Sequence, residues 1–170
     1  VANIDMINAV ALPGHKVILF NGLVTKAKTP DEVASVLAHE IGHHLSNHDL
    51  EEANPKVRKQ YELEADRYAG GIMYRLGATL EEAQAGINTF SLDNDSQTHP
   101  PKRARLEALA VGWKQAEELA AAADNTTGTA AAESDEKKLY NQALAEKDPY
   151  QAIELLDQAI GDELESELQR

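Results

Sequence analysis

Apolar residues recur every four positions at Val33, Leu37, Ile41 and Leu45, the spacing that lines one stripe of an α-helix. Thr29-Pro30-Asp31-Glu32 stands just before them. It supplies an N-cap Thr, a Pro at the first helical position and a Glu suited to a capping box. The pattern upstream is different. Residues 8–20 read as two short strands, Ala9 to Leu12 and 16–20, around Pro13-Gly14. The second ends in the β-branched and aromatic run Val17-Ile18-Leu19-Phe20 and a turn at Asn21-Gly22.

Helical periodicity returns at Asn54-Pro55 and runs to Gly77, a C′ glycine. Gly70-Gly71 inside that run lowers helix propensity by about 1 kcal/mol each, and close packing against the 33–48 helix is the expected compensation. Thr79-Leu80-Glu81-Glu82 is a second capping box, opening a helix to about Phe90. Residues 91–98 are polar and without period, hence a loop, and Pro100-Pro101 starts a helix to about Ala122. Residues 120–134 turn to Ala, Thr, Gly, Ser and Asp, the composition of a flexible linker. Two amphipathic segments follow, 135–147 and 149–160, parted by Asp148-Pro149. Leu139, Tyr140, Ala143 and Leu144, then Ala152, Ile153, Leu156, Ala159 and Ile160, make them a helical hairpin. The fold class is α+β: a mainly helical domain with a small β-hairpin over residues 1–119, a linker over 120–134 and a helical hairpin over 135–170.

The chemistry concentrates at His39-Glu40-Ile41-Gly42-His43. Histidines four apart on a helix share a face, so both rings reach one ion, and Glu40 flanks that face where a water would sit. This is the HExxH arrangement of a zinc hydrolase, with two ligands and a general base on one rigid element. A third protein ligand is required. A metzincin would carry Gly at position 46 and His at position 49; Ser46 and Asp49 exclude that class. A gluzincin takes a Glu from a second helix, and Tyr61-Glu62-Leu63-Glu64-Ala65-Asp66 offers one. Glu62 and Asp66 share a face, while Glu64 points elsewhere. Glu62 is therefore expected as the third zinc ligand, and Asp66 as the carboxylate that orients a ligand histidine and sets its tautomer. Ala65, being small, lets the two helices approach.

The pairing of these two segments resembles the gluzincin peptidases of the HtpX, BepA and CAAX-prenyl-protease type. Asn8-Ala9-Val10-Ala11-Leu12-Pro13-Gly14, Phe20-Asn21-Gly22-Leu23 and Thr98-His99-Pro100-Pro101 with Arg105 are similar to further segments of that family, in its order, over residues 3–112. The resemblance implies a zincin-like fold and a zinc-dependent endopeptidase, one Zn²⁺ per chain, acting on unfolded or misassembled proteins in the cell envelope, on the periplasmic side. It implies Glu40 as general base for the attacking water. It also implies a substrate held as an extra β-strand. That role falls on Ala9, Val10, Ala11 and Leu12, which otherwise serve as a hairpin covering the active-site helix. The C-terminal hairpin looks like one tetratricopeptide unit, a module BepA-like relatives carry after the protease domain. One such unit cannot bury its own face, so it packs on the catalytic domain or on a protein partner, unless it is an extension with no binding role.

Composition sets the bounds. A chain of 170 residues, 42% hydrophobic, buries one sound core and a small appendage. No apolar run has the length to span a bilayer. A net charge of −13 argues against nucleic acid or an anionic membrane as partner. Without cysteine there is neither disulfide nor thiolate ligand. The numbering starts at Val1 with no leader pattern, as in a processed or trimmed chain.

His99 has three readings: it stabilises an oxyanion, occupies the open coordination position in a resting state, or holds its loop. Arg105 braces that loop or pairs with a carboxylate. His44 is about 100° round from His43, and His48 lies on another face near the helix end, so both read as structural or solvent-facing. Beside the peptidase stand two alternatives, a chaperone-like binding module with little proteolysis and a latent metal-binding scaffold held off by the His99 loop.

Overall fold

A computed structural model describes residues 1–96, 99–127, 135–146, 151, 152, 154–156 and 158. The chain order is β1 (Ala9–Leu12), β2 (Lys16–Leu19), α1 (Asn21–Lys26), α2 (Pro30–Leu45), α3 (Pro55–Leu76), α4 (Leu80–Ala83), α5 (Ala85–Phe90), α6 (Lys102–Thr127) and α7 (Asp135–Ala145). Among the described residues it is mostly helical with one two-stranded antiparallel sheet, an α+β arrangement. The local signals act as their chemistry dictates. The Thr29 side chain accepts from the Glu32 N–H ahead of Pro30, Asn54 caps α3, and Thr79 and Glu82 form a reciprocal capping box. Gly77 closes α3 in the left-handed conformation at φ 91°.

The core is built where α2, α3 and α6 meet. Leu37, Ala38, Ala69, Met73, Leu76 and Leu109 are almost wholly buried there. Small residues set how near the helix axes come. A methyl group at Gly42 of α2 would lie 2.6 Å from the Ala65 carbonyl oxygen of α3, which is how the histidine face and the Glu62 face are drawn together. Gly70 serves a different neighbour from the one expected. Its missing Cβ would fall 2.1 Å from the Leu109 carbonyl oxygen, so it makes room for α6 rather than for α2. The propensity cost is offset by helix–helix packing, against another helix.

Register in the hairpin follows from one bond. The Phe20 N–H donates to the Asn8 carbonyl, and Val10 opposes Ile18 and Leu12 opposes Lys16. By the alternation of antiparallel ladders, Val10 and Leu12 bond to β2, while Ala9 and Ala11 aim their backbone groups at the outer edge of β1.

Other sequence expectations change too, and the helix expected to run to about Phe90 is interrupted at Gln84, between α4 and α5. Asn21-Gly22 opens α1 rather than a turn; Gly22 lies against the Met6 backbone, where a Cβ would meet the Met6 oxygen at 2.5 Å. Residues 120–127, assigned to a linker, continue α6 to Thr127. Ala-rich composition reads as linker or as helix, and Ala has the strongest helix propensity. The rest of that stretch, with Asp148-Pro149, Ile153, Ala159, Ile160 and Thr98, lies outside the described residues. α7 packs on the main core: Tyr140 and Ala143 are buried, joined by Leu156, and the Tyr140 hydroxyl donates to Asp31 of α2.

Candidate metal centre

α2 presents His39 and His43, and α3 crosses it with Glu62. The Nε2 atoms of the two histidines are 3.2 Å apart. Glu62 Oε2 is 3.5 Å from His39 Nε2, and Oε1 is 3.6 Å from His43 Nε2. Ligands at the corners of a zinc tetrahedron, with bonds of about 2.0–2.1 Å, sit about 3.3–3.4 Å from one another. The two ring nitrogens and the two Glu62 oxygens come close to that spacing, and one ligand atom from each of the three residues lies within 4.8 Å of the others. A second observation agrees: Glu62 Oε2 is buried and has no hydrogen-bond partner among the described residues. At 3.5 Å the His39 ring is too far for a good hydrogen bond and acts on Glu62 through its charge. The donor set fits a divalent ion of zinc's preference.

Electrostatics sort the protons of the metal-free site. Burial works against a charge on His39, but the Asp66 carboxylate, 2.8 Å from Nδ1, outweighs it and holds the His39 pKa up at about 10. Burial, reinforced by the His39 charge, pushes His43 down to about 3. Burial also opposes ionisation of Glu62, yet the neighbouring His39 cation holds it at about 2. The single proton between the two rings therefore belongs to His39 Nε2, the atom a metal needs.

Zinc binding near pH 7 is accordingly expected to release about one proton, from His39 alone. The His39–Asp66 charge pair stabilises the metal-free fold fully below the ordinary histidine pKa and loses that contribution as pH climbs through about 10. Metal affinity has the opposite slope, rising about tenfold per pH unit until His39 is neutral. Calorimetric titration in buffers of different ionisation heats measures the proton count; a count of zero would place a neutral His39 in the metal-free protein.

Asp66 itself is wholly buried. Arg105 grips it with two bonds, Nε to Oδ2 at 2.8 Å and Nη2 to Oδ1 at 2.7 Å, and extends Nη1 to Ser91 Oγ at 3.2 Å. A carboxylate so held accepts the Nδ1–H of His39 and leaves Nε2 aimed at the metal position.

Glu40 is tied to the sheet: its Oε2 accepts the Ala11 N–H at 2.7 Å, from the outer edge of β1. Burial raises its pKa despite the His39 charge and that bond. His99 reaches the site from its loop, Nε2 being 3.3 Å from Glu62 Oε2 with the side chain 51% exposed. The Ser96 N–H and hydroxyl both donate to the His99 carbonyl, and the Ser96 hydroxyl accepts the His99 N–H. His44 bonds outward to the Lys16 carbonyl.

Sequence reasoning missed the place of His48. Its Nδ1 lies 2.9 Å from Nδ1 of His43, its Nε2 lies 3.3 Å from Glu64, and its ring stacks on Tyr61 at 4.1 Å. The expectation of a separate face assumed a helix that continues. α2 ends at Leu45, and Asn47 turns left-handed at φ 50°. The His48 N–H bonds to the His43 carbonyl and the Asn47 N–H to the His44 carbonyl, which is a Schellman closure. The closure folds residue 48 back over residue 43. An Asn four positions beyond the second histidine was the available signal.

His39, His43 and Glu62, on two crossing helices with the Glu40 carboxylate beside them, form a cluster that could hold a metal ion. Residues 1–55 match the family model of Peptidase family M48. Over 51 residues the chain is 41% identical to the mitochondrial metalloendopeptidase OMA1 of Arabidopsis thaliana, covering 30% of this chain and 10% of that one. It is 34% identical over 105 residues to the Beta-barrel assembly-enhancing protease of Yersinia pestis (56% and 21%), and 43% identical over 105 residues to OMA1 of Saccharomyces cerevisiae (62% and 27%). The matched stretches thus span about a quarter or less of these relatives' length. No solved structure matches the chain. Together the matches support a metallopeptidase, the likeness to family M48 being carried by residues 1–55.

Proposed function

We propose that this chain carries the catalytic unit of a zinc-dependent endopeptidase of the gluzincin type, with His39, His43 and Glu62 as ligands and Glu40 as general base. The observation that carries the reading is the convergence of the two imidazole nitrogens and the Glu62 carboxylate at 3.2–3.6 Å, beside the Glu40 carboxylate. Zinc bound there would supply Lewis acidity, polarising a peptide carbonyl and bringing a water's pKa towards neutrality.

The chain's own groups do the rest. Glu40 takes a proton from the attacking water and returns it to the leaving amine, and its raised pKa suits both transfers. His99, half-exposed above Glu62, is placed to hydrogen-bond the developing oxyanion or to lie over the metal position at rest. The outer edge of β1 offers the Ala9 N–H and the Ala9 and Ala11 carbonyls to an extended peptide; the Ala11 N–H is committed to Glu40. Beside that edge a cavity of about 360 Å³, lined by Ala9, Leu23, Val36, Ile87 and Phe90, opens onto Glu40 and His39, room for an apolar substrate side chain. Backbone pairing with one apolar pocket suits unfolded or misassembled proteins as substrates.

The unit extends over residues 1–119, in a zincin-like fold, and the tetratricopeptide-like C-terminal segment docks on it through Tyr140 or offers its other face to a partner. The cell envelope, on the periplasmic side, is the proposed setting; among the described residues no helix is long and apolar enough to cross a membrane. The test is cleavage of an unfolded, fluorescently labelled protein. Zinc-loaded chain is expected to cut it, chelation to stop the reaction and added zinc to restore it. A fully loaded, folded chain that leaves the substrate intact would overturn the reading.

A further inference from the structure

The two histidines of the metal centre are held in different ways. His39 is oriented directly by a buried carboxylate. His43 Nδ1 instead meets the His48 ring at 2.9 Å, and that ring in turn meets Glu64 at 3.3 Å. We infer that His48, backed by Glu64, is the positioning residue for His43: His43 donates its Nδ1–H to His48 Nδ1, and His48 donates its Nε2–H to Glu64.

The polarity of this chain follows from the chemistry at each end. Nε2 of His43 faces His39 and Glu62, so it must offer its lone pair there, and the ring's one proton sits on Nδ1. The partner of an N–H must accept, which fixes His48 Nδ1 as unprotonated and moves the His48 proton to Nε2. A carboxylate accepts but cannot donate when ionised, so Glu64 is the correct terminus. The geometry is also built to last. The His48 ring is only 2% exposed, although the Glu64 side chain is 53% exposed. Tyr61 stacks on the ring with planes 13° apart. The Schellman closure through Asn47 brings residue 48 to the position that packs on the residue five before it. That position ordinarily carries an apolar contact; here it carries two imidazoles.

One consequence is that a single segment of α3 serves the whole centre. Glu62 is aimed at the metal position, Asp66 orients His39, and Tyr61 and Glu64 hold the ring that orients His43. The alternation arises because residues 62 and 66 share one helical face while 61 and 64 flank it on the side where α2 ends. Ligand-orienting partners of this kind typically contribute about 10–100-fold to metal affinity.

The inference rests on His39, His43 and Glu62 being the ligands. Its test compares zinc affinity, by competition with a chromogenic chelator, in wild type, His48→Leu and His48→Asn. Both replacements lose the stack on Tyr61, but Asn keeps an oxygen near the place of Nδ1. His48→Leu is expected to bind zinc about 10–100-fold more weakly, and His48→Asn to recover most of that loss. Equal affinities in wild type and Leu, or equal weakness in Leu and Asn, would overturn the assignment, the latter result marking His48 as packing only. Should the Leu protein fail to fold, long-range ¹⁵N–¹H spectra of the zinc-loaded wild type decide. The expected signature is a His48 ring protonated at Nε2 and bare at Nδ1, and a proton on His48 Nδ1 would refute it. A wild type that takes up no zinc fails the ligand reading itself; zinc in the wild type with undiminished affinity in His48→Leu fails this one alone.

Discussion

Glu40→Gln is expected to abolish peptide cleavage while leaving zinc in place. Glu40 is not among the three converging ligand atoms, so affinity measured by chelator competition is expected to match wild type. A glutamine keeps the shape of the side chain, and its amide oxygen still accepts the Ala11 N–H that joins α2 to the sheet. Fold and strand edge therefore persist, and only the capacity to take and return a proton is lost. General acid–base groups contribute about 10²–10⁴-fold, so turnover of the labelled unfolded protein should fall by at least that range. A Glu40→Gln protein that cuts at the wild-type rate would remove Glu40 from the mechanism. One that loses zinc as well would show the carboxylate to be part of the metal's support.

The largest effect on stability is expected from Asp66→Asn. The native carboxylate is wholly buried and meets two cations at once, the Arg105 guanidinium in a two-pronged grip and the His39 ring. Burial opposes its charge, and those two partners hold its pKa below the usual carboxylate range all the same. An amide turns one acceptor into a donor facing donors and leaves Arg105, itself largely buried, without its counter-charge. Breaking a buried pair by removing one partner costs about 3–5 kcal/mol. Urea unfolding of the metal-free protein should show a loss of that size. Zinc affinity should fall about 10–100-fold with it, because His39 loses the acceptor that points Nε2 at the metal. A change under about 1 kcal/mol would mean that Arg105 finds another acceptor and that Asp66 is no anchor.

The two substitutions separate two kinds of residue in one site. Glu40 is tied to the sheet through the Ala11 N–H, and Asp66 is wholly buried between His39 and Arg105. The opposite shifts come from tertiary surroundings: burial raises the pKa of Glu40, and against burial the His39 and Arg105 charges lower that of Asp66. Arg105 lies 39 positions beyond Asp66.

Short-range physics made much of this protein legible from its residues. Caps at Thr29, Asn54 and Thr79 mark helix starts because a side-chain oxygen satisfies amide groups within the same turn. The i, i+4 spacing places His39 with His43 and Glu62 with Asp66, since each pair rides on one rigid helix. Where the chain had to choose between local preferences, the packing decided. Asn21-Gly22 became helix against the Met6 backbone, and Gly70 turned out to face α6. Each choice depends on a neighbour remote in sequence.

What the sequence by itself determined, then, is which of the candidate residues share a face, because helical period is a property of the backbone. Which of those faces meet, and what stands behind each ligand, was decided only by the tertiary structure. Glycine at position 42 lets α3 close on α2, Arg105 arrives from α6 to hold Asp66, and a left-handed Asn47 swings His48 onto His43. Those contacts depend on distances of a few tenths of an ångström between elements far apart in the chain, and no periodicity in the residues encodes them.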